Sequence, residues 1–198
     1  MTIRGHHTAR LGLAGLVAGT TLGFCACALA AETTYQRLLN ASAEPQNWLM
    51  RMGNYGNWNH SALAAINRGN VGNLKVKFMA SLGDPTRPNK ATEYFTPLVE
   101  DGFMYVGNQW QQFWKFDVRN EKPTPVWKFD AKVQGGGRSG HSVALLGNNM
   151  YFNTNNDTSI PRLVAVDKNS GQVVFDINTT DPETVPNQGH SGDRKSVV

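Results

Sequence analysis

The chain has 198 residues, with 19 Lys and Arg against 15 Asp and Glu for a formal charge of +4. Both of its cysteines, Cys25 and Cys27, fall within the first thirty residues, so the remainder can build no disulfide framework, thiolate nucleophile or cysteine metal site. The basic residues are scattered rather than clustered, which leaves no electrostatic footprint for nucleic acid.

Residues 1–30 have the layout of a secretory signal peptide. Arg4 and Arg10 with His6 and His7 form a basic head, Leu11 to Phe24 form an apolar stretch of 14 residues, and Ala28-Leu29-Ala30 supplies a small-residue cleavage site. That stretch is too short and too Gly-rich for a membrane span, and no transmembrane helix is expected after it. Cleavage is expected before Ala31 or Glu32, with periplasmic delivery. An acylated Cys25 fits less well, because the bulky Phe24 precedes it. Arg4 and Arg10 are not adjacent, so there is no twin-arginine signal. Removing those two arginines takes the basic count from 19 to 17 and the charge from +4 to +2.

From residue 31 to residue 60 there is no sustained period. Leu38 and Leu39 suit a short helical turn, which Pro45 stops. Ser61 to Asn73 is rich in Asn and Gly and reads as a turn-rich lead into a strand. Leu74-Lys75-Val76-Lys77-Phe78-Met79-Ala80 then alternates apolar and polar positions, the mark of a half-buried strand. Pro85, Pro88 and Asn89 make a loop.

Two copies of one pattern follow. The first runs Thr96-Pro97-Leu98-Val99-Glu100-Asp101-Gly102-Phe103-Met104-Tyr105-Val106, then Phe113 to Val118, and closes on Val126-Trp127-Lys128-Phe129-Asp130. The second runs from His141 to Phe152, then Arg162 to Asp167, and closes on Val173 to Ile177. Asp117 and Asp167 stand 50 residues apart, Met104 and Met150 stand 46 apart. Short apolar runs broken by Asp-Gly, Gly-Asn-Asn and Asn-Ser-Gly are strands joined by hairpin turns. Four-stranded repeats of about 40 to 50 residues are the sequence form of a β-propeller. Two similar hairpin units in a β-sandwich are the alternative. In a propeller, the early strand Leu74–Ala80 would complete the last blade and close the ring.

The smallest closed propeller needs roughly 190 residues at this period, and an eight-bladed one roughly 400. The expectation is therefore an all-β chain forming the N-terminal part of a larger propeller: residues 31–192, with blade-like repeats at about 93–131 and 139–178, a ring-closing strand, and a polar end at 193–198.

The run Asn47-Trp48, Tyr55-Gly56, His60-Ser61-Ala62-Leu63, Ile66-Asn67, Asn70-Val71, Asn73-Leu74 resembles the N-terminal signature of the pyrroloquinoline-quinone-dependent alcohol and methanol dehydrogenases. Thr96-Pro97-Leu98-Val99 with Asp101 to Val106 is similar to that family's first blade. Leu163-Val164-Ala165-Val166-Asp167, then Ser170-Gly171-Gln172-Val173-Val174, is similar to its repeat motif. The resemblance covers roughly residues 38 to 178. It implies a periplasmic eight-bladed propeller holding pyrroloquinoline quinone on its axis beside calcium or a lanthanide. An aspartate base then acts on an alcohol, hydride passes to the quinone C5 carbonyl, and electrons leave to a cytochrome c or similar acceptor. The family's base and metal ligands lie in later blades and have no counterparts here, so no catalytic or metal-binding residue is assigned.

Three cofactor-binding candidates come from the same resemblance. The family often places an acidic side chain three residues before the proline of its Pro-Leu-Val element. Tyr94 holds that position here, and Glu93, one residue further back, is the candidate, with a solvated loop carboxylate as its bland alternative. The family's Arg, whose guanidinium forks onto a quinone carboxylate, is matched in position by His141, with Arg138 three residues earlier. Gly135-Gly136 stands where methanol-type members carry adjacent cysteines. A non-catalytic propeller that binds protein partners in the cell envelope is the competing function.

Other signals are discounted. Gly135 to Gly140 satisfies GxGxxG but leads into strands rather than a helix, so it is no dinucleotide fingerprint. Asn153-Thr154-Asn155-Asn156-Asp157 lacks the glycine and terminal Glu of a calcium loop. Trp110, Trp114 and Trp127 read as blade-packing residues. His60 and His190 have no partner at metal-ligand spacing.

Overall fold

The computed structural model describes residues 31–83, 95–133, 143–154 and 160–179. A short helix, α1 (Tyr35–Leu39), opens the described chain. Thr34 caps it from an extended backbone, its hydroxyl accepting from the Arg37 amide, and a 3-10 turn at Ala41–Ala43 ends the helical stretch before Pro45. No helix among the described residues is long and apolar enough to cross a membrane.

Among the described residues eight strands follow: β1 (Leu98–Glu100), β2 (Phe103–Gly107), β3 (Gln112–Asp117), β4 (Thr124–Asp130), β5 (Ala144–Leu146), β6 (Asn149–Asn153), β7 (Arg162–Asp167) and β8 (Val173–Asn178). They form two antiparallel sheets in the orders β1-β2-β3-β4 and β5-β6-β7-β8. Each sheet is a meander of consecutive strands, whereas a sandwich would interleave its strands by Greek-key connections. The repeat is a pair of blades.

Turn chemistry sets the registers. Asp101 and Gly102 both take positive φ, 51° and 81°, which gives the β1–β2 hairpin a type I′ turn with the twist its strands require. Val99 thereby pairs with Met104; across the next ladder Met104 pairs with Phe116, as Met150 does with Val166 in the second blade. The third and fourth strands of each blade slip register at matching places, between Lys115 and Phe116 and between Ala165 and Val166. Pro125, which has no amide hydrogen, sits at the slip in the first blade on β4, an outer strand with no further neighbour among the described residues.

The core lies between the blades. Leu98, Phe103, Tyr105 and Phe113 of the first pack on Leu145, Met150, Phe152, Val164 and Val166 of the second, with Ala131, Val133 and Val143 between. The Phe152 ring meets Phe113 at 4.3 Å between centroids and Phe129 at 5.8 Å. The Trp127 indole donates to the Lys168 carbonyl at 3.1 Å and lies over Gly171. Gly171 has φ +74°, and a Cβ there would lie 2.8 Å from the indole Cγ, so only glycine fits.

Leu74–Ala80, expected as a ring-closing strand, makes no ladder among the described residues. It follows a 3-10 turn at Val71–Asn73, with Val76 80% and Met79 91% exposed. The alternating pattern is that of a strand, but a strand exists only through hydrogen bonds to a neighbour, and neither described blade supplies one here. The inner edge of the first blade is covered instead by Trp48, whose backbone exchanges two hydrogen bonds with Val99 at 2.7 and 3.0 Å.

Lys115 on β3 is buried in the blade interface. Its ammonium donates to the Lys168 carbonyl at 2.8 Å and lies 4.1 Å from the Phe103 ring centre. Burial, and then the charge of Lys168, push it down from 10.5 to about 8. The unfolded chain therefore binds the extra proton between pH 8 and 10.5, so the contribution of this group to stability rises with pH across that window, by about 3 kcal/mol. Denaturation midpoints of wild type and Lys115→Met should diverge across it, the wild type gaining. A constant difference would contradict the burial of a charged amine.

Candidate functional site

Each blade has two ends of different chemistry. Strands β1, β3, β5 and β7 begin at one end, where β2 and β4 finish and the connections into the innermost strands arrive. The other end carries the β1–β2 and β5–β6 hairpins and the turns after β3 and β7.

At the first end, the β2–β3 turn is a buried run of amides. Asn108, Gln109, Gln111 and Gln112 are all buried, and Gln111 turns the chain at φ +53°. The Asn108 side chain accepts from the amides of Trp110 and Gln112 and donates to the Leu82 carbonyl at 2.6 Å and to Gln112 Oε1 at 2.9 Å. Gln112 Nε2 in turn reaches Asp130 Oδ2 at 3.0 Å, and the Ala131 amide donates to the Gln111 carbonyl. Arg162 crosses from the second blade, ion-paired with Asp176 and bonded to the Ala131 carbonyl at 2.5 Å. These bonds fix the chain just before residue 134, where the connection to β5 leaves. Phe95, just before β1, packs on Phe113 at 6.1 Å and belongs to the same end.

Glu93, Arg138 and His141 lie outside the described residues. The described residues that bracket them, Phe95, Val133 and Val143, stand at this first end or in the core beside it. Sequence reasoning did not single out the Asn108–Gln112 run; its signal was five polar or aromatic residues, four of them amides, between two apolar strands.

The opposite end is charged. Lys168 and Glu100 are fully buried and paired at 2.7 Å. The Lys168 ammonium also donates to Thr33 Oγ1 at 2.6 Å and to the Ala31 carbonyl at 2.8 Å, while the Thr33 hydroxyl donates to Glu100 Oε1. Arg37 from α1 contacts Glu44, Glu100 and Asp101. Its hydrogen bond to Glu44 leads in raising the Arg37 guanidinium and holds the Glu44 carboxyl below its ordinary range. Burial would raise Asp167, but hydrogen bonds from the Ser170 amide and hydroxyl and the Asn169 amide outweigh it and lower the carboxyl. Arg37, Glu44, Glu100, Asp101 and Lys168 each have an oppositely charged partner within 3.1 Å, which suits a structural bolt better than a reacting group.

Among the described residues no three His, Cys, Asp or Glu side chains come together as a metal site. Among the described residues the amide-rich end supplies hydrogen bonds and rigidity, and its carboxylates Asp130 and Asp176 are engaged by Gln112 and Arg162. It can position connections that carry charge.

No protein-family model matches the chain. By sequence it is 31% identical over 157 residues to the dehydrogenase subunit of alcohol dehydrogenase (quinone) from Gluconacetobacter polyoxogenes, covering 76% of this chain and 20% of that protein. The corresponding subunit from Acetobacter aceti is 31% identical over 172 residues, covering 84% of this chain and 22% of its own length. The chain thus spans about a fifth of the curated relatives it matches. Among solved structures, a europium-containing methanol dehydrogenase superposes with a TM-score of 0.61 at 23% identity, over 74% of this chain and 25% of that one. Quinohemoprotein alcohol dehydrogenase from Comamonas testosteroni gives 0.57 at 24% identity, over 73% and 23%. Sequence relationship and blade architecture agree: the chain belongs to the quinoprotein alcohol dehydrogenase family.

Proposed function

We propose that this chain supplies two neighbouring blades of a periplasmic, pyrroloquinoline-quinone-dependent alcohol dehydrogenase that oxidises a primary alcohol and passes electrons to a cytochrome c or similar acceptor. The observation that carries the reading is the 31% identity over 157 residues to an alcohol dehydrogenase (quinone) subunit. When bound, the quinone supplies the redox chemistry by accepting hydride; the protein supplies binding, orientation and charge. In this reading Glu93 and one of Arg138 or His141 hold the quinone, from connections anchored by the Asn108–Gln112 turn and by Ala131. The described residues offer amides suited to holding such connections, and in this reading the calcium or lanthanide is held by later blades, as the family resemblance implies.

The test uses the full-length protein with added calcium and quinone, measuring alcohol-dependent reduction of an artificial acceptor alongside quinone affinity. Activity should require the quinone and should not appear with NAD. Glu93→Gln and Arg138→Ala should each weaken quinone binding by about 1 to 3 kcal/mol, the scale of a charged hydrogen bond to a buried ligand. A loss in His141→Ala with none in Arg138→Ala would assign the basic contact to His141. Absence of quinone binding by the wild type would overturn the enzyme reading in favour of a propeller scaffold that binds protein partners.

A further inference from the structure

The leading residues of the described chain make contacts that depend on where the polypeptide starts. The Ala31 backbone nitrogen donates to Asp101 Oδ2 at 3.0 Å, and the Ala31 carbonyl accepts from the buried Lys168 ammonium at 2.8 Å. Thr33, two residues on, is fully buried and exchanges backbone hydrogen bonds with Gly147 of the second blade at 3.0 and 2.9 Å. The other oxygen of Asp101 receives Arg37 at 3.0 Å and Asn47 at 3.3 Å, which orients the carboxylate so that Oδ2 faces Ala31.

We propose that Ala31 is the amino-terminal residue of the working protein, released by proteolysis of the bond before it, and that Asp101 is the receptor for the α-ammonium so created. The inference rests on the export reading and goes beyond it in choosing the bond and naming the group that binds the product. The sequence leaves two bonds open, before Ala31 and before Glu32, and the structure separates them. A chain beginning at Glu32 lacks the Ala31 carbonyl. The buried Lys168 ammonium, which has three hydrogens to place, would then keep only Thr33 Oγ1 and Glu100 Oε2 of its three acceptors. A chain that keeps its leader presents a neutral amide to Asp101, with one hydrogen. A chain beginning at Ala31 presents a cation near neutral pH, because an α-amino group ordinarily titrates at about 7.7 to 8.0. The bond then becomes an ion pair, and charge-assisted hydrogen bonds are roughly twice as strong as neutral ones. Ala31 itself is exposed, so an amine at that position remains open to solvent while it faces Asp101.

The full-length protein recovered from the envelope fraction of an expressing cell should give an intact mass and amino-terminal sequence beginning at Ala31. A start at Glu32 overturns the inference and leaves export standing, whereas an intact Met1 overturns export itself. The receptor role is read separately, from the rate at which an amine-selective acylating reagent modifies the Ala31 α-amine at pH 7. That rate should rise roughly two- to five-fold in Asp101→Asn, the scale of an exposed ion pair. Asparagine tolerates the left-handed backbone at position 101, φ +51°, so the turn survives the change. Equal rates in the two proteins would overturn the ion pair.

Discussion

Glu100→Ala lowers the unfolding free energy by about 3 to 5 kcal/mol, the cost of breaking a buried ion pair by removing one partner. Glu100 and Lys168 are both completely shielded from solvent and meet at 2.7 Å. Deleting the carboxylate leaves the ammonium with Thr33 and the Ala31 carbonyl, neither of which is charged, and leaves Arg37 with two of its three carboxylates. The double variant Glu100→Leu with Lys168→Met is the informative companion, since it removes both charges and fills the space with carbon. It is expected to be more stable than Glu100→Ala, and the cycle closed by the single variants Glu100→Leu and Lys168→Met should show coupling of about 1 to 3 kcal/mol. A loss in Glu100→Ala of less than about 1 kcal/mol, the range of exposed pairs, would show that water reaches the network.

Phe152→Ala is expected to cost about 3 to 5 kcal/mol, as large-to-small changes in a packed core do. The ring is 5% exposed and is the point at which Phe113 and Phe129 of the first blade meet the second. Its removal opens a cavity at the seam, and the stiff backbones of two sheets cannot close on it. Val173→Ala on the outer strand β8 provides the contrast: with half of that side chain already in water, the change should stay within about 0.5 kcal/mol. Chemical denaturation of both variants checks the pair. Similar losses would mean that the interface between the blades is not the core.

What the sequence made legible was local chemistry repeated. Asp101-Gly102 specifies a hairpin on its own, and alternation across two residues needs no knowledge of distant chain. The 50-residue spacing of Asp117 and Asp167 survives as equivalent register, Asp117 opposite Phe103 and Asp167 opposite Asn149. The charged bolt was not legible for the opposite reason. Glu100 follows Leu98-Val99 and precedes Asp101-Gly102, where a carboxylate normally meets water, and its partner is 68 residues away in the next blade. Lys115 is a charge between Trp114 and Phe116 whose cover comes from the neighbouring blade, which local pattern does not show. Leu74–Ala80 shows the limit of pattern itself: alternation names the face a strand would bury but cannot supply the strand beside it. The three cofactor candidates came from resemblance rather than from pattern, and they lie outside the described residues.

The contacts of Lys168 with Ala31 and Thr33 span 137 and 135 residues of chain. Such distant partners make for slow assembly, because the loop between them must be closed before the contact gives anything back. At synthesis rates of about 5 to 20 residues per second, Lys168 leaves the ribosome on the order of ten seconds after Ala31. For that interval the leading segment is a loose end, whatever its final strength. A chain held by its last-made contacts gives a translocation channel or a processing protease time to act before the second blade buries Thr33 and Lys168 beside Ala31.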